Sequence, residues 1–135
     1  VLNSYGPGET IGSVHITVPD TMTMADIHPL TKSIAVHLYK KFGIAMTVGV
    51  YAENQPSLEV LEIRQALDQV VSLYTHVVQV HAFYVQEEKK VIYYDIIFDF
   101  DEEDPHGTLE KIKAEMQKRC PEYTQFAIVD TDFSN

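Results

Sequence analysis

An internal repeat constrains this chain more than any other feature. On either side of Asn54-Gln55-Pro56-Ser57 the same pattern of strand, strand, helix, strand occurs once, at low identity between the two copies. A unit of that size buries an apolar face by laying a helix on a small sheet. The expected fold is therefore α+β: tandem ferredoxin-like ββαβ modules, each an open antiparallel or mixed sheet with helices on one face. The expected modules are residues 1–54 and residues 55–135, the second opening with a connecting helix.

In the first copy, Val1 to Ser4 and Thr10 to Val18 read as strands around the turn Gly6-Pro7-Gly8-Glu9. Alternation places Val14, Ile16 and Val18 on one face and His15 and Thr17 on the other. Ile27, Leu30, Ile34, Leu38 and Phe42 are spaced three and four apart, which predicts a helix that stops at Gly43. Pro29 fits the first turn of that helix, with Asp26 or a tightened turn from Thr23 as cap, and Met46 to Ala52 follows as a strand. In the second copy Ser57 caps a helix carrying Val60, Ile63, Leu67, Val70 and Tyr74 inward. Strands Val77 to Val85 and Val91 to Phe100 come next, then a helix from a Thr108 cap through Leu109, Ile112, Met116 and Cys120, and a last strand from Gln125 to Asp130.

Composition narrows the function. The 135 residues include 20 acidic and 10 basic side chains, a formal charge of -10, with no Lys/Arg stripe interleaved with aromatics. Such a chain repels phosphate backbones, so nucleic acid is not an expected partner and cations are. No apolar run approaches the ~20 residues of a membrane span. Cys120 is the single cysteine, which excludes a disulfide framework within the chain and fits a reducing compartment. It reads as a helix-end apolar residue. Val1 already stands inside a hairpin, as expected of a piece cut from a larger protein.

Imidazoles and carboxylates at matched positions carry the chemistry. If a five-residue loop from Gln86 to Lys90 closes the second hairpin with Val85 opposite Val91, Phe83 faces Tyr93 and His81 faces Asp95. A neutral imidazole beside a carboxylate can bind a divalent cation, or form a charge-assisted hydrogen bond without one. In the first copy His15 lies on the outward strand face and His28 near a helix start, with Glu53 and Asp26 as candidates to complete a ligand shell. Overlaying the copies puts Asp95 on His15, His106 near His28, and Asp130 and Asp132 near Tyr51 and Glu53, an oxygen-rich version of the same arrangement. Carboxylates shift preference towards harder ions such as Mn²⁺ or Mg²⁺.

Other patterns carry less. The acids from Asp99 to Asp104, with Glu110 in twelfth place, put Asp104 where a calcium loop needs its turn glycine. Gly6, Gly8 and Gly12 miss the dinucleotide spacing. His37 and His76 have no nearby acid pattern. There is no nucleophile elbow, no two-histidine helical zinc motif and no activated cysteine, so an enzyme is not expected.

The stretch Asn3-Ser4-Tyr5-Gly6-Pro7-Gly8-Glu9-Thr10-Ile11-Gly12-Ser13-Val14-His15-Ile16-Thr17-Val18-Pro19-Asp20, followed by Ala25-Asp26-Ile27-His28, resembles the cytoplasmic C-terminal domain of cation diffusion facilitator transporters. Members share a similar Tyr-Gly-Pro-Gly hairpin, a Ser-Val-His strand and an acid-or-alanine-then-histidine helix start; the resemblance covers roughly residues 1 to 54. It implies a soluble domain on the cytoplasmic face of the membrane, attached to the transmembrane domain of a proton-coupled exporter of divalent metals, forming a homodimer and binding metal near the dimer interface. It implies metal-ligand roles for His15 and His28, with Zn²⁺ as the first expectation for the ion and Mn²⁺, Fe²⁺ and Co²⁺ as the alternatives. The third strand departs from the family's Ile-His-x-Asp-Pro: here Tyr51 replaces the histidine and Glu53 the aspartate. Some members similarly carry Gly-x-Tyr-Ala-x-Asn and a second module. The functions this leaves are a metal-biased regulatory and dimerising domain, a metal-independent dimerisation scaffold, and a ferredoxin-like small-molecule sensor.

Overall fold

The computed structural model describes residues 2–4, 10–55 and 57–130, which fall into two compact units dividing between Gln55 and Ser57. The expected turn at residues 6–9, together with Val1, Pro56 and Asp132, lies outside the described residues.

The first unit runs β1 (Leu2–Ser4), β2 (Thr10–Pro19), α1 (Met24–Phe42) and β3 (Ile44–Glu53). Its sheet has the order β1-β2-β3, with β1 antiparallel and β3 parallel to β2. A parallel pair needs a crossover, and α1 supplies it, packing against β3. The helix begins in a capping box. The Thr23 hydroxyl accepts from the Asp26 amide at 3.2 Å, while the Asp26 carboxylate accepts from the Thr23 amide at 3.0 Å. That box starts the helix a turn earlier than Pro29 suggests, so Pro29 sits inside the helix instead of in its first turn. Gly43 closes the other end in the left-handed region, φ 66°, where an L side chain would be strained. Alternation on β2 is as read: Val18 is buried, Val14 and Ile16 are half-buried, and His15 and Thr17 are exposed. Val18 is the one buried apolar side chain of this unit among the described residues.

The second unit runs α2 (Leu58–Val71), β4 (Val77–Gln86), β5 (Val91–Phe98), α3 (Pro105–Arg119) and β6 (Thr124–Asp130). Its sheet repeats the first topology, order β4-β5-β6, with β4 antiparallel and β6 parallel to β5. The extra helix changes the energetics. Val60, Ile63, Leu67 and Val70 of α2 and Leu109, Ile112 and Met116 of α3 close over Val85, Ile92, Tyr94 and Ile96 of the sheet. Each such side chain contributes roughly 1.5–3 kcal/mol by leaving water. Glu59, in the first turn of α2, accepts from the Tyr123 hydroxyl and pairs with Lys90 at 3.2 Å, tying the helix to the β4–β5 turn and to the chain before β6.

Four sequence expectations need correction here. Tyr74, expected on α2, lies beyond the end of that helix at Val71, although it still packs against the core. Asp104, not Thr108, caps α3: its carboxylate accepts from the Gly107 amide at 3.0 Å, and Thr108 is buried inside the helix, donating to Glu102. β5 ends at Phe98, and Phe100 beyond it is almost fully exposed. The β4–β5 turn occupies four residues, pairing Gln86 with Val91, so Tyr84 and not Phe83 faces Tyr93. Phe83 packs instead against the core.

Candidate metal centre

One face of the second sheet is committed to the helices through Ile92, Tyr94 and Ile96, so Tyr93 and Asp95 must point the other way. Along β4, a bulge between His81 and Tyr84 sets two residues against one, and the ladder resumes with His81 opposite Asp95. Along β6, Ile128 lies opposite Asp95 and Asp130 opposite Ile97, so Asp130 is the diagonal neighbour of Asp95 on the same face. Three adjacent strands thus bring one imidazole and two carboxylates together. Their donor atoms all lie within 4.8 Å of one another, and His81 Nδ1 is 3.6 Å from an Asp130 carboxylate oxygen.

All three side chains are half-buried. Burial pushes the Asp95 carboxyl above its ordinary value, the neighbouring Asp130 charge pushes it further, and His81 pulls it partly back. Two carboxylates forced together in a partly dry position form an arrangement that a cation relieves. One nitrogen and two oxygens suit borderline to hard divalent ions such as Mn²⁺, Fe²⁺, Co²⁺ and Zn²⁺, with further coordination positions left for water or other donors.

A second group, His76, Asp99 and Asp101, lies where β4 begins and β5 ends. Here the donors already satisfy one another. His76 Nδ1 is 3.1 Å from one Asp99 oxygen and 3.2 Å from the other, the Asp99 amide donates to the His76 carbonyl at 2.9 Å, and the Asp101 amide donates to the Asp99 carboxylate at 2.9 Å. The hydrogen bond to Asp99 raises the His76 imidazole above its ordinary value, with Asp101 and Glu102 adding to it and desolvation opposing it. With its donors already turned on one another, this group works first as a latch on the hairpin ends. The sequence reading missed it because Asp99 is distant in the chain and adjacent only through the β4–β5 pairing.

In the first unit the histidine of the resemblance sits in a tailored place. The His15 ring lies over the backbone of Gly49, where an added Cβ would come within 2.3 Å of its Cδ2, and against Tyr51 at 5.2 Å between ring centroids. His28 is exposed in the second turn of α1. Glu53 is exposed at the end of β3, and the Asp26 carboxylate is engaged in the helix cap. Among the described residues, groups of three or more metal-capable donors occur only at the two places in the second unit, so His15, His28, Asp26 and Glu53 are not gathered into one.

The repeat explains both arrangements. Thr17, two residues after His15, pairs with Tyr51; Ile97, two residues after Asp95, pairs with Asp130. His15 and Tyr51 therefore stand at the register positions of Asp95 and Asp130. His106 is in the first turn of α3 whereas His28 is in the second turn of α1, so the helix starts are offset. Asp130 as a third donor was visible in the sequence only through this overlay. No helix among the described residues is long and apolar enough to cross a membrane. Comparison with protein-family models, with curated proteins and with solved structures finds no match for the chain.

Proposed function

We propose that the chain is a regulatory and dimerising domain on the cytoplasmic face of a divalent-metal efflux transporter, and that its second unit binds the cation through His81, Asp95 and Asp130. The observation that carries this reading is the convergence of those three donors from three strands onto one half-buried patch. The resemblance of residues 1 to 54 to the cytoplasmic domain of cation diffusion facilitators supplies the transporter context, and the acidic composition supports a cationic ligand. Regulation works by linkage: a cation that binds one dimer arrangement better than another shifts the population by its difference in binding free energy, and no more.

A second reading, a metal-independent dimerisation scaffold, is favoured by one observation. His15 is joined by Tyr51, a poor ligand near neutral pH because a phenol titrates near pH ~10. Titration calorimetry of Mn²⁺ and Zn²⁺ into chelator-stripped protein separates the two, with sedimentation run with and without metal. The metal reading expects saturable binding that His81→Ala removes and that alters the dimer. Binding unaffected by His81→Ala but abolished by the His15→Ala/His28→Ala double variant would move the centre to the first unit. A dimer indifferent to metal, with no saturable binding, would leave the scaffold.

A further inference from the structure

His81 reaches the outer face of its sheet only because its strand is irregular. Counting from the turn, Gln86 pairs with Val91, Val85 with Ile92 and Tyr84 with Tyr93. A ladder continued in that register would set Ala82 opposite Asp95 and His81 opposite Ile96, which is fully buried. Side chains alternate, so the imidazole would then point into the apolar core and Val80 would point out. Instead Ala82 and Phe83 share the place opposite Tyr94, and the register resumes one residue on, with Val80 inward against the core and His81 beside Asp95.

The residue that makes this possible is Ala82. Its φ is 55°, in the left-handed region that L residues with a Cβ avoid and that bulges of this kind ordinarily fill with glycine. The only other non-glycine residue with positive φ among those described is Lys90, which closes the turn itself. The strain thus falls one residue from a candidate ligand, midway along a strand.

We propose that Ala82, which is not itself a ligand, is the positioning residue of the cation centre: its left-handed conformation is the register device that sets His81 beside Asp95 and Asp130. The inference rests on the reading of those three residues as a cation site.

The proposal makes opposite demands on three variants of the full chain. In Ala82→Val a β-branched side chain is excluded from the left-handed region, so the bulge is lost and the Mn²⁺ affinity of the folded protein falls about tenfold to a hundredfold, the range typical when support for a ligand is removed. In Ala82→Gly the bulge is unstrained, and binding is retained or tightened. Deleting Ala82 removes the bulge while keeping Phe83 opposite Tyr94 and His81 opposite Asp95 in one unbroken ladder, so binding stays close to that of the parent chain. Each affinity is read by calorimetry beside a thermal melt, since a merely structural residue would move the melting temperature and leave the folded protein's affinity unchanged. Unchanged affinity in folded Ala82→Val overturns the proposal. If that variant does not fold, a folded deletion variant that has lost binding overturns it, and one that binds supports it. Binding that also survives His81→Ala refutes the cation reading itself, a result the Ala82 variants cannot produce.

Discussion

Asp95 carries its carboxyl half-buried beside Asp130, so its ionised form is held against both desolvation and a like charge. Its folded value is raised above 3.8, so the folded chain binds this proton more tightly than the unfolded one. The stabilisation from the protonated carboxyl is complete below the unfolded value and is lost as pH rises through the folded one. Near neutrality the ionised group works against the fold. Asp95→Asn is therefore expected to raise the melting temperature of metal-free protein at pH 7 and to abolish any rise on adding Mn²⁺; a lowered melting temperature without metal would contradict the account. His76 shows the opposite use of a carboxylate. Its value is raised from 6.5 chiefly by the hydrogen bond to Asp99, so the latch stabilises fully below that value and fades as pH rises through the folded one. An NMR titration of His76 is expected to show a midpoint above 6.5 that Asp99→Asn lowers.

At the scale of elements, the starts of α1 and α3 are fixed by carboxylates three residues from a partner, and both sites lie upstream of a proline. The α3 cap also needs Gly107, because a Cβ there would come within 2.1 Å of an Asp104 carboxylate oxygen. Asp104→Ala is expected to cost about 1 kcal/mol, the ordinary loss for an N-cap. Gly107→Ala should cost a comparable amount in the parent chain, by displacing the capping carboxylate, and much less in the Asp104→Ala background. Urea melts of the two single variants and the double variant test this, and additive losses would show that the two residues act independently. The β4–β5 hairpin is decided at the same scale: a turn one residue tighter than expected and a bulge one residue long offset each other, so His81 meets Asp95.

Across the whole molecule, two copies of one topology differ in what covers them. The second unit has α2 and α3 over its sheet, with Leu67, Val70, Ile92, Tyr94, Ile96, Ile112 and Met116 nearly or wholly removed from water. The first has a single helix, none of whose residues is buried, and Val18 as its buried side chain among the described residues. Local stability follows apolar burial, so amides of β5 and α3 should exchange with solvent most slowly and those of α1, β2 and β3 faster, measured by hydrogen exchange on the metal-free chain. Equal protection in the two units would mean that the first is stabilised by contacts beyond those within it. Charge is divided as unevenly as apolar burial. Of the 20 acids only Glu9, Asp20, Asp26 and Glu53 precede Asn54, so the acidic character that favours cations belongs to the second segment.

What the sequence determined by itself is the periodic part. Alternation in β2 and β5, three-and-four spacing in α1, α2 and α3, Gly43 as a stop and Ser57 as a cap follow from local rules in which each residue meets neighbours a few positions away. The pairing of His81 with Asp95 was legible too, although by a count in which a missed bulge balanced a missed turn. What the tertiary structure decided is whatever depends on register between strands distant in the chain: Asp130 as the third donor, the His76–Asp99 latch, Phe83 turned inward, and His15 laid over Gly49. The physical reason is that a strand's side chains change face with every residue. One residue in the left-handed region at Ala82 therefore reassigns the side chains from His81 back to Gln79, where a second register shift intervenes, and no local propensity announces where that residue falls.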